Sequence, residues 1–178
     1  MKTIAQQLNI KEFPFEIQDK RGNVIYCEDS CGFWEKREYD SMGNQTYFND
    51  SKGFWCKCEF DSNGNQTYYE NSDGYWEKRE YDSDEYVTYF EASDGYWTKR
   101  EFDSMGNQTY YENSNRDWVK REYNSLGNVT YYENSHGYWW KREYNSMGKE
   151  TYYEDSGGTK RGHPSTIVID GITYKKAK

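Results

Sequence analysis

Aromatic and charged residues follow one another along most of the chain in a pattern that returns every 21 residues. The copy from Gly95 to Asn115 reads GYWTKREFDSMGNQTYYENSN, and six such copies cover residues 32–157 without an insertion. A fixed period of this length is typical of repeat proteins, in which each unit packs against its neighbours. One tryptophan marks each copy: Trp34, Trp55, Trp76, Trp97, Trp118 and Trp139.

Each copy contains two strand-like segments, Tyr-Trp-x-Lys-Arg-Glu-Tyr and Thr-Tyr-Tyr-Glu. Turn-forming residues follow both, Asp/Asn-Ser-x-Gly-Asn after the first and Asn-Ser-x-Gly after the second. Loops this short join only antiparallel neighbours. The sequence therefore predicts an all-β fold, an antiparallel meander of β-hairpin repeats that forms an elongated, twisted single-layer or coiled sheet with short capping segments.

The N-terminal segment differs from the copies that follow it. Residues 1–10 are predicted to form a cap, with a short helix over residues 3–10 that places Ile4 and Leu8 on one face. Residues 11–31 are interpreted as a degenerate copy, because several turn and strand residues stay in register with the repeat.

The C-terminal segment, residues 158–178, is predicted to be a tail that ends in a capping β-hairpin. The segment from Thr166 to Tyr174 has strand-forming residues on both sides of a two-residue turn at Asp170-Gly171, which is a typical hairpin pattern. Terminal units of repeat proteins have to cover the exposed ends of the array.

The odd period constrains the turns, because side chains alternate between the two faces of a strand. We predict a three-to-five-residue turn with a Gly bulge at Asp-Ser-x-Gly and a two-residue turn at sites such as Asp73-Gly74 and Asp94-Gly95. This assignment groups Trp, Lys and Glu of the first strand with Thr and the second Tyr of the other strand. Arg, the Tyr or Phe before Asp, the first Tyr and the second strand's Glu share the opposite face, where Arg is expected between two Tyr rings.

The composition shows what must fill the interior. Only 34% of the residues are apolar, whereas 20% are aromatic. Aromatic rings and the stems of Lys, Arg and Glu are therefore expected to supply the buried area. The predicted structural ladder consists of Trp34, Trp55, Trp76, Trp97, Tyr47, Tyr68, Tyr89, Tyr110, Tyr131 and Tyr152.

The net charge of −8 disfavours both nucleic-acid binding through basic contacts and an anionic membrane as partner. The N-terminus lacks the apolar core of a signal peptide, and no stretch reaches transmembrane length. We expect a cytoplasmic protein whose partner is another protein.

No motif in the sequence indicates catalysis. His136 lies at a variable turn position and His163 in the tail, and neither is near a nucleophile motif. We therefore predict that the chain is not an enzyme and uses no cofactor.

The cysteines and one acidic turn are the candidate metal ligands. The spacing CxxxC followed by CxC at Cys27, Cys31, Cys56 and Cys58 is not a familiar zinc pattern, so we interpret these residues as reduced thiols. A weak Ca²⁺ site in the acidic turn at residues 82–85 is the alternative, although the turn lacks a full oxygen-ligand loop. The prediction is that the chain has no metal site.

Residues that break the repeat are the candidates for partner binding. Asp84-Glu85-Tyr86 replaces the x-Gly-Asn turn, Arg116-Asp117 replaces Gly-Tyr, and Trp140 adds a second ring beside Trp139. Bulky aromatic anchors and Arg are the residues that interfaces use most. The predicted partner-binding residues are Trp139, Trp140, Trp118, Arg116, Asp117, Asp84, Glu85 and Tyr86.

The Tyr-Asp-x-x-Gly element, as in Tyr39-Asp40-Ser41-Met42-Gly43, resembles the YD repeats of Rhs-type proteins. The order Tyr-Tyr-Glu-Asn, turn Gly and Trp is similar to MORN-type repeats. Both resemblances imply a β-hairpin array with no enzymatic activity of the repeat itself. Six copies are too few for the closed shell of the Rhs family, so its toxin-enclosing role is not carried over. A further likeness, to choline- and glucan-binding repeats, implies ligand sites between aromatic hairpins.

Three functions follow as hypotheses. The first is a non-catalytic protein-binding module, with an anti-CRISPR-like phage or mobile-element inhibitor of a host defence protein as its specific form, since near-identical copies suggest recent duplication. The second is a carbohydrate- or choline-type ligand-binding repeat. The third is a structural element that self-assembles through its sheet ends.

Overall fold

The computed structural model describes residues 2–169 and 172–175. In this part of the chain, fifteen strands form one sheet in the order of the sequence, and two further strands form a separate hairpin. The elements are α1 (Ile4–Leu8), β1 (Phe15–Gln18), β2 (Val24–Glu28), β3 (Trp34–Tyr39), β4 (Gln45–Asp50), β5 (Trp55–Phe60), β6 (Gln66–Asn71), β7 (Trp76–Tyr81), β8 (Val87–Ala92), β9 (Trp97–Phe102), β10 (Gln108–Asn113), β11 (Trp118–Tyr123), β12 (Val129–Asn134), β13 (Trp139–Tyr144), β14 (Glu150–Asp155), β15 (Lys160–Gly162), β16 (Thr166–Ile169) and β17 (Ile172–Lys175).

The predicted all-β antiparallel meander is confirmed. Each copy supplies one hairpin, such as β3 with β4, and each hairpin pairs with the next through its second strand. β16 and β17 pair antiparallel, and the Asp170-Gly171 turn predicted between them lies outside the described residues. Two compact units divide the chain: one takes the N-terminal part up to Glu80 with Phe90–Tyr96, and the other takes Tyr81–Tyr89 and the chain from Trp97 onwards.

The turns at both ends of the strands have the same geometry. In the turn after β3, Asp40 N–H donates to Asn44 O and Gly43 N–H donates to Asp40 O. The turn after β6 repeats both bonds between Asn71, Gly74 and Tyr75. Each is a three-residue loop closed by a Gly in the left-handed region, with φ of 94° at Gly43 and 80° at Gly74. The prediction of a two-residue turn at Asp73-Gly74 and Asp94-Gly95 is therefore wrong.

The side chain that opens each turn stabilises it, as the turn chemistry of the sequence indicates. One carboxylate oxygen of Asp40 accepts the N–H groups of Met42 at 2.8 Å and Asn44 at 2.9 Å. The other accepts Asn44 Nδ2 at 3.0 Å. The hydrogen bond from the Asn44 side chain, helped by these backbone donors, holds the pKa of Asp40 below its usual value.

The odd residue of the period is absorbed in the second strand of every repeat hairpin whose register is described. Glu38 pairs with Tyr47 and Tyr39 pairs with Gln45, so that Thr46 has no partner across the ladder and forms a β-bulge. The same skip recurs at the equivalent threonine of the other hairpins whose register is described, Thr67, Thr109, Thr130 and Thr151. With equal loops at both ends, this bulge is what returns equivalent side chains to the same face in every copy.

The bulge also changes which residues share a face. Arg37 lies opposite Phe48, the second aromatic of the following strand, and Glu38 lies opposite Tyr47, the first. The predicted grouping of Arg with the first Tyr, and of the Trp side with the second Tyr and Thr, is therefore wrong. Because Thr46 is skipped, the residues beyond it exchange faces relative to a continuous ladder.

Two faces can now be defined. The tryptophan face carries Trp, Lys and Glu of the first strand with the first Tyr and the following Glu or Asn of the second strand. The arginine face carries the residue after Trp, the Arg, and the second aromatic of the second strand.

The helix α1 begins at a capping box, in which the Thr3 side chain accepts from Gln6 N–H and the Gln6 side chain accepts from Thr3 N–H. Ala5 is fully buried, whereas Leu8 is 61% exposed. Ala5 is thus the fully buried residue of α1, whereas Leu8, which was predicted to share a face with Ile4, is exposed.

Two turns lack the usual glycine, and this generates a stability prediction. Glu85 and Arg116 both have φ of 67° at the place where other copies have Gly. A left-handed backbone with a Cβ costs about 1 kcal/mol relative to Gly. We expect Glu85→Gly to raise the free energy of unfolding in urea by about 1 kcal/mol.

The matched control is Gly43→Glu, which makes the reverse change at a turn where a Cβ would meet no atom within 4 Å. We expect it to lower the free energy of unfolding by a similar amount. Equal stabilities of wild type and Glu85→Gly would contradict the strain at these turns.

Candidate functional site

The arginine face is packed by the chain's own side chains. In five copies the guanidinium lies 5.4–6.0 Å from the centroid of the second aromatic ring of its hairpin: Arg37 over Phe48, Arg79 over Phe90, Arg100 over Tyr111, Arg121 over Tyr132 and Arg142 over Tyr153. The aromatic residue before the next Trp packs on the same ring, as Phe54 does on Phe48 at 6.0 Å. These rings are occupied by internal contacts, so this face serves as the core.

Burial agrees with this assignment. Thr98 is 1% exposed, Ala92 5% and Cys56 9%, and all three lie at positions of the arginine face. Interactions of a cation with a ring contribute about 0.5–1 kcal/mol each at exposed sites and more when desolvated.

The tryptophan face is more open. Each tryptophan of the six copies carries the ammonium of the Lys two residues later, 5.3–5.9 Å from the ring centroid. The lysines themselves are exposed, at Lys36, Lys57, Lys78, Lys99, Lys120 and Lys141. Because a cation already occupies each ring, the cages that a quaternary ammonium ligand needs are filled from within.

Charges on this face follow a fixed order across the strands. In the first unit Glu38, Tyr47 and Lys57 lie in one row, and the row continues to Glu70 and Trp76. The second unit has the same order at Glu101, Tyr110, Lys120, Glu133 and Trp139.

The first Tyr and the Glu two residues later form a hydrogen-bonded pair. The Tyr131 hydroxyl donates to Glu133 Oε2 at 3.1 Å, and Tyr152 makes the same bond to Glu154 at 2.5 Å. Burial and this hydrogen bond raise the pKa of Tyr131, while the bond to Glu154 raises the pKa of Tyr152 to about 12. These hydroxyls stay protonated at neutral pH and act as hydrogen-bond donors.

Shallow grooves lie at equivalent positions of the tryptophan face. One of about 500 Å³ is lined by Glu122, Thr130, Tyr131, Lys141 and Glu143. Its counterpart 84 residues earlier, of about 470 Å³, is lined by the matching Glu38, Thr46, Tyr47, Lys57 and Glu59. Each groove thus has a Tyr, a Lys and two Glu among its lining residues. Successive hairpins are about 9.6 Å apart, which sets the spacing of such sites.

The degenerate N-terminal copy shows the same face with a segment bound to it. Glu28 is 1% exposed and Tyr26 is 3% exposed, at the positions of the Tyr–Glu pair. The Thr3 hydroxyl and Ala5 N–H donate to the two oxygens of Glu28, and the Tyr26 hydroxyl donates to Glu28 Oε2 at 2.6 Å. α1 is therefore anchored on the tryptophan face through this carboxylate.

Burial alone would raise the pKa of Glu28, but the hydrogen bonds from Thr3, Tyr26 and Ala5 outweigh burial and hold the pKa below its usual value of 4.5. The pKa of Tyr26 rises to about 12 through burial and the same hydrogen bond.

The structure separates the residues predicted to bind a partner. Trp118 and Trp139 lie on the tryptophan face beneath their lysines, whereas Trp140 lies on the arginine face. Trp140 stacks on Tyr132, with 5.7 Å between ring centroids and 7° between planes, and Arg142 lies 4.2 Å from its centroid. Trp140 is half-buried in this stack rather than an exposed anchor.

The irregular turns lie at opposite ends of the strands. Asp84, Glu85 and Tyr86 belong to a turn that follows a first strand, and Arg116 and Asp117 belong to a turn that follows a second strand. Tyr86 stacks on Phe102, with 4.7 Å between the ring centroids. The predicted residues thus do not form one surface.

Sequence reasoning missed the Tyr26–Glu28 site and the Lys and Glu rows of the tryptophan face. A signal for the first was present: the degenerate copy keeps Tyr26 and Glu28 in register although it has lost the Trp, Lys and Arg of the repeat.

The four cysteines are free thiols in the structure. Burial raises the pKa of the thiols of Cys27, Cys56 and Cys58, which lowers their thiolate fraction. Within residues 2–169 and 172–175, no group of three or more His, Cys, Asp or Glu is arranged to hold a metal ion. No helix in the described part of the chain has the length and apolar character to cross a membrane.

No protein-family model matches the chain, and no curated protein matches it either. Among solved structures, the chain is similar to a crystal structure of TcdB2-TccC3-Cdc42, with a TM-score of 0.48 and 12% identity over 76% of this chain and 9% of that chain. It is also similar to the Photorhabdus luminescens Tc holotoxin pore, with a TM-score of 0.47 and 14% identity over 88% of this chain and 10% of that chain. The chain spans about a tenth of the length of these proteins.

The arginine face generates a prediction at its irregular copy. Cys58 stands where other copies have Arg, opposite Tyr69. We expect Cys58→Arg to raise the free energy of unfolding by about 0.5–1 kcal/mol, because a guanidinium then lies over the Tyr69 ring. The measurement is urea denaturation, and the gain should vanish in a Tyr69→Leu background. A gain that persists without the ring would refute the cation–ring contact.

The carboxylate of Glu28, which anchors α1, generates a second stability prediction at this site. Glu28→Ala leaves the Thr3 hydroxyl, the Ala5 N–H and the Tyr26 hydroxyl without their acceptor, which costs about 2–3 kcal/mol. The control Glu70→Ala removes the equivalent carboxylate where no α1 lies, and should cost less than about 1 kcal/mol. Because the folded pKa of Glu28 is lowered, this stabilisation is present above pH 4.5 and is lost as the pH falls below it.

Amide hydrogen exchange of residues 3–8 measures the anchoring directly. Protection in α1 that is the same in wild type and Glu28→Ala would contradict it.

Proposed function

We propose that the chain is a non-catalytic protein-binding module that engages its partner through the tryptophan face. The observation that carries this proposal is the difference between the faces: the arginine face is filled by the chain's own rings and guanidinium groups, and the tryptophan face offers repeated open grooves. Kinship with YD-type repeats, on the Tyr-Asp-x-x-Gly turn, or with MORN-type repeats, on the order Tyr-Tyr-Glu-Asn, turn Gly and Trp, is part of the proposal.

The chemistry of the grooves favours a polypeptide partner. Tyr hydroxyls, Lys ammonium groups and Glu carboxylates in a fixed order can meet backbone and side-chain groups of both signs. Rows of charge of this kind determine the register and the choice of partner more than the affinity.

The edge of the sheet is less suited to self-assembly. β15 has only three residues, Lys160–Gly162, and both Lys160 and Arg161 are exposed. Short edge strands with cationic side chains oppose the pairing of one sheet with another. A face-directed partner is therefore favoured over a structural array joined through its ends.

The tyrosine hydroxyls and cysteine thiols of the repeats are neutral at pH 7. The pKa values of Tyr131 and Tyr152 are raised, as are those of the thiols of Cys56 and Cys58. These groups stay in their neutral, weakly nucleophilic form at neutral pH.

A cytoplasmic inhibitor of a host defence protein is the specific form that we propose for this protein-binding module.

The test is partner capture from a bacterial lysate with three immobilised baits. The face variant carries Lys78→Glu and Lys120→Glu. The control variant carries the same charge change at the exposed turn residues Lys20 and Lys149. We expect wild type and the control variant to retain the same protein and the face variant to lose it, with all three baits folded by circular dichroism.

Equal recovery of that protein by the face variant and the control variant contradicts the proposal, as does the absence of any specific protein at micromolar bait.

A further inference from the structure

The hydrogen-bonded Tyr–Glu pair that anchors α1 in the N-terminal copy recurs in later copies of the repeat. Tyr26 and Glu28 occupy the positions held in later copies by Tyr68–Glu70, Tyr89–Glu91, Tyr110–Glu112, Tyr131–Glu133 and Tyr152–Glu154, whereas the first full copy has Asn49 in place of Glu. The same cross-strand neighbour follows both pairs, since Glu28 lies opposite Trp34 and Glu70 lies opposite Trp76. The binding atoms that hold α1 are thus present in several further copies.

In the N-terminal copy, this pair binds a segment with a definite chemistry. A hydroxyl from Thr3 reaches one oxygen of Glu28, and the backbone N–H two residues later, at Ala5, reaches the other at 3.1 Å. The small side chain of Ala5 is fully buried, and Tyr26 beneath this segment is 3% exposed. Because Ala5 is fully buried, a larger side chain at that position would displace the groups packed around it.

In the later copies, the pair is less covered. Tyr68, Tyr110 and Tyr131 are half-buried, as are Glu70, Glu112 and Glu133. The hydrogen bond within the pair persists, at 3.1 Å between Tyr131 and Glu133, so the carboxylate is already oriented. A lysine of the preceding strand lies opposite these carboxylates, as Lys57 does opposite Glu70 and Lys120 opposite Glu133. At the last pair, a second cation takes part, since Lys160 Nζ lies 2.9 Å from Glu154.

The middle residue of the bound segment meets a different surface in the later copies. Ile4 lines a groove with Ile17 and Ile25 in the N-terminal copy. The matching positions of the later copies hold Glu and Thr, as in Glu122 and Thr130. An aliphatic side chain suits the first surface, and a basic side chain suits the second because it faces a carboxylate.

We propose that the Tyr–Glu pairs of the later copies bind a partner polypeptide through a three-residue element consisting of Ser or Thr, then Lys or Arg, then Ala or another small residue. This inference rests on the proposed function and names the chemistry of the partner at the same face. The hydroxyl and the third backbone N–H donate to the Glu carboxylate, the small side chain is buried beside the pair as Ala5 is, and the basic side chain pairs with the Glu of the preceding strand. The net charge of −8 favours such a basic segment.

The test uses a synthetic peptide as the probe. Its sequence is that of residues 1–10 with Ile4→Lys and a C-terminal fluorescein, and its binding to the full-length chain is followed by fluorescence anisotropy. We expect saturable binding that weakens about tenfold when the peptide also carries Thr3→Val, which removes a donor to a charged acceptor. A peptide with Ile4→Glu should bind at least as weakly.

The protein variants locate the site. One variant carries Glu→Gln at residues 70, 91, 112 and 133, and its matched control neutralises four acidic turn residues through Asp73→Asn, Asp84→Asn, Glu85→Gln and Asp94→Asn. We expect the first to weaken peptide binding about tenfold and the control to leave it within about twofold, since removal of one charged acceptor per site costs at least about 1.4 kcal/mol.

Two results would overturn the inference. One is no saturable binding of the probe peptide that carries Ile4→Lys; the other is equal weakening by the four Glu→Gln changes and by the four turn changes of the control. If the peptide fails while the partner captured from lysate is still lost on Lys78→Glu and Lys120→Glu, the partner chemistry is wrong and the binding face stands. If both experiments fail, the proposed function itself is wrong.

Discussion

The β-bulge at one threonine in each repeat hairpin whose register is described is the constraint on which the rest of the structure depends. An odd period with equal loops at both ends would send equivalent side chains to opposite faces in successive copies. The skipped threonine, such as Thr109 between the pairs Tyr110–Glu101 and Gln108–Phe102, restores the alternation. A stack of nearly identical copies can then present one composition on one face and another composition on the other.

The division between faces explains how the sheet is stable with few aliphatic residues. Guanidinium groups lie over aromatic rings on the arginine face, and ammonium groups lie over tryptophans on the tryptophan face. Each such contact and each cross-strand pair contributes on the order of 0.2–1 kcal/mol, and the repeat multiplies them. The arginine face uses its rings for packing, so that the polar and charged groups of the tryptophan face remain for recognition.

The repeat, the two strands of each copy and the turn chemistry were predictable because each has a local signal: Trp spacing, alternating rings, and Asp-Ser-x-Gly. The aromatic ring that each Arg contacts was not predictable. The odd period shows that one residue of each copy is extra, but it does not show where in the copy that residue lies. Placing it in a turn pairs Arg121 with Tyr131, and placing it at Thr130 pairs Arg121 with Tyr132.

The site at Glu28 depends on a tertiary contact with α1, for which spacing within the repeat carries no signal. The sequence also cannot show that Trp140 is stacked rather than exposed, because its contact with Tyr132 spans two strands.

The most direct measurement of the central claim is nuclear Overhauser contacts in the isotopically labelled full chain, at the hairpin of β11 and β12. With the bulge at Thr130, the side chain of Arg121 contacts the ring of Tyr132, and the backbone of Glu122 lies opposite Tyr131. We expect both contacts in the spectrum. A spectrum in which Arg121 contacts the ring of Tyr131 and Thr130 has a partner in a continuous ladder would contradict the bulge and the division of faces that follows from it.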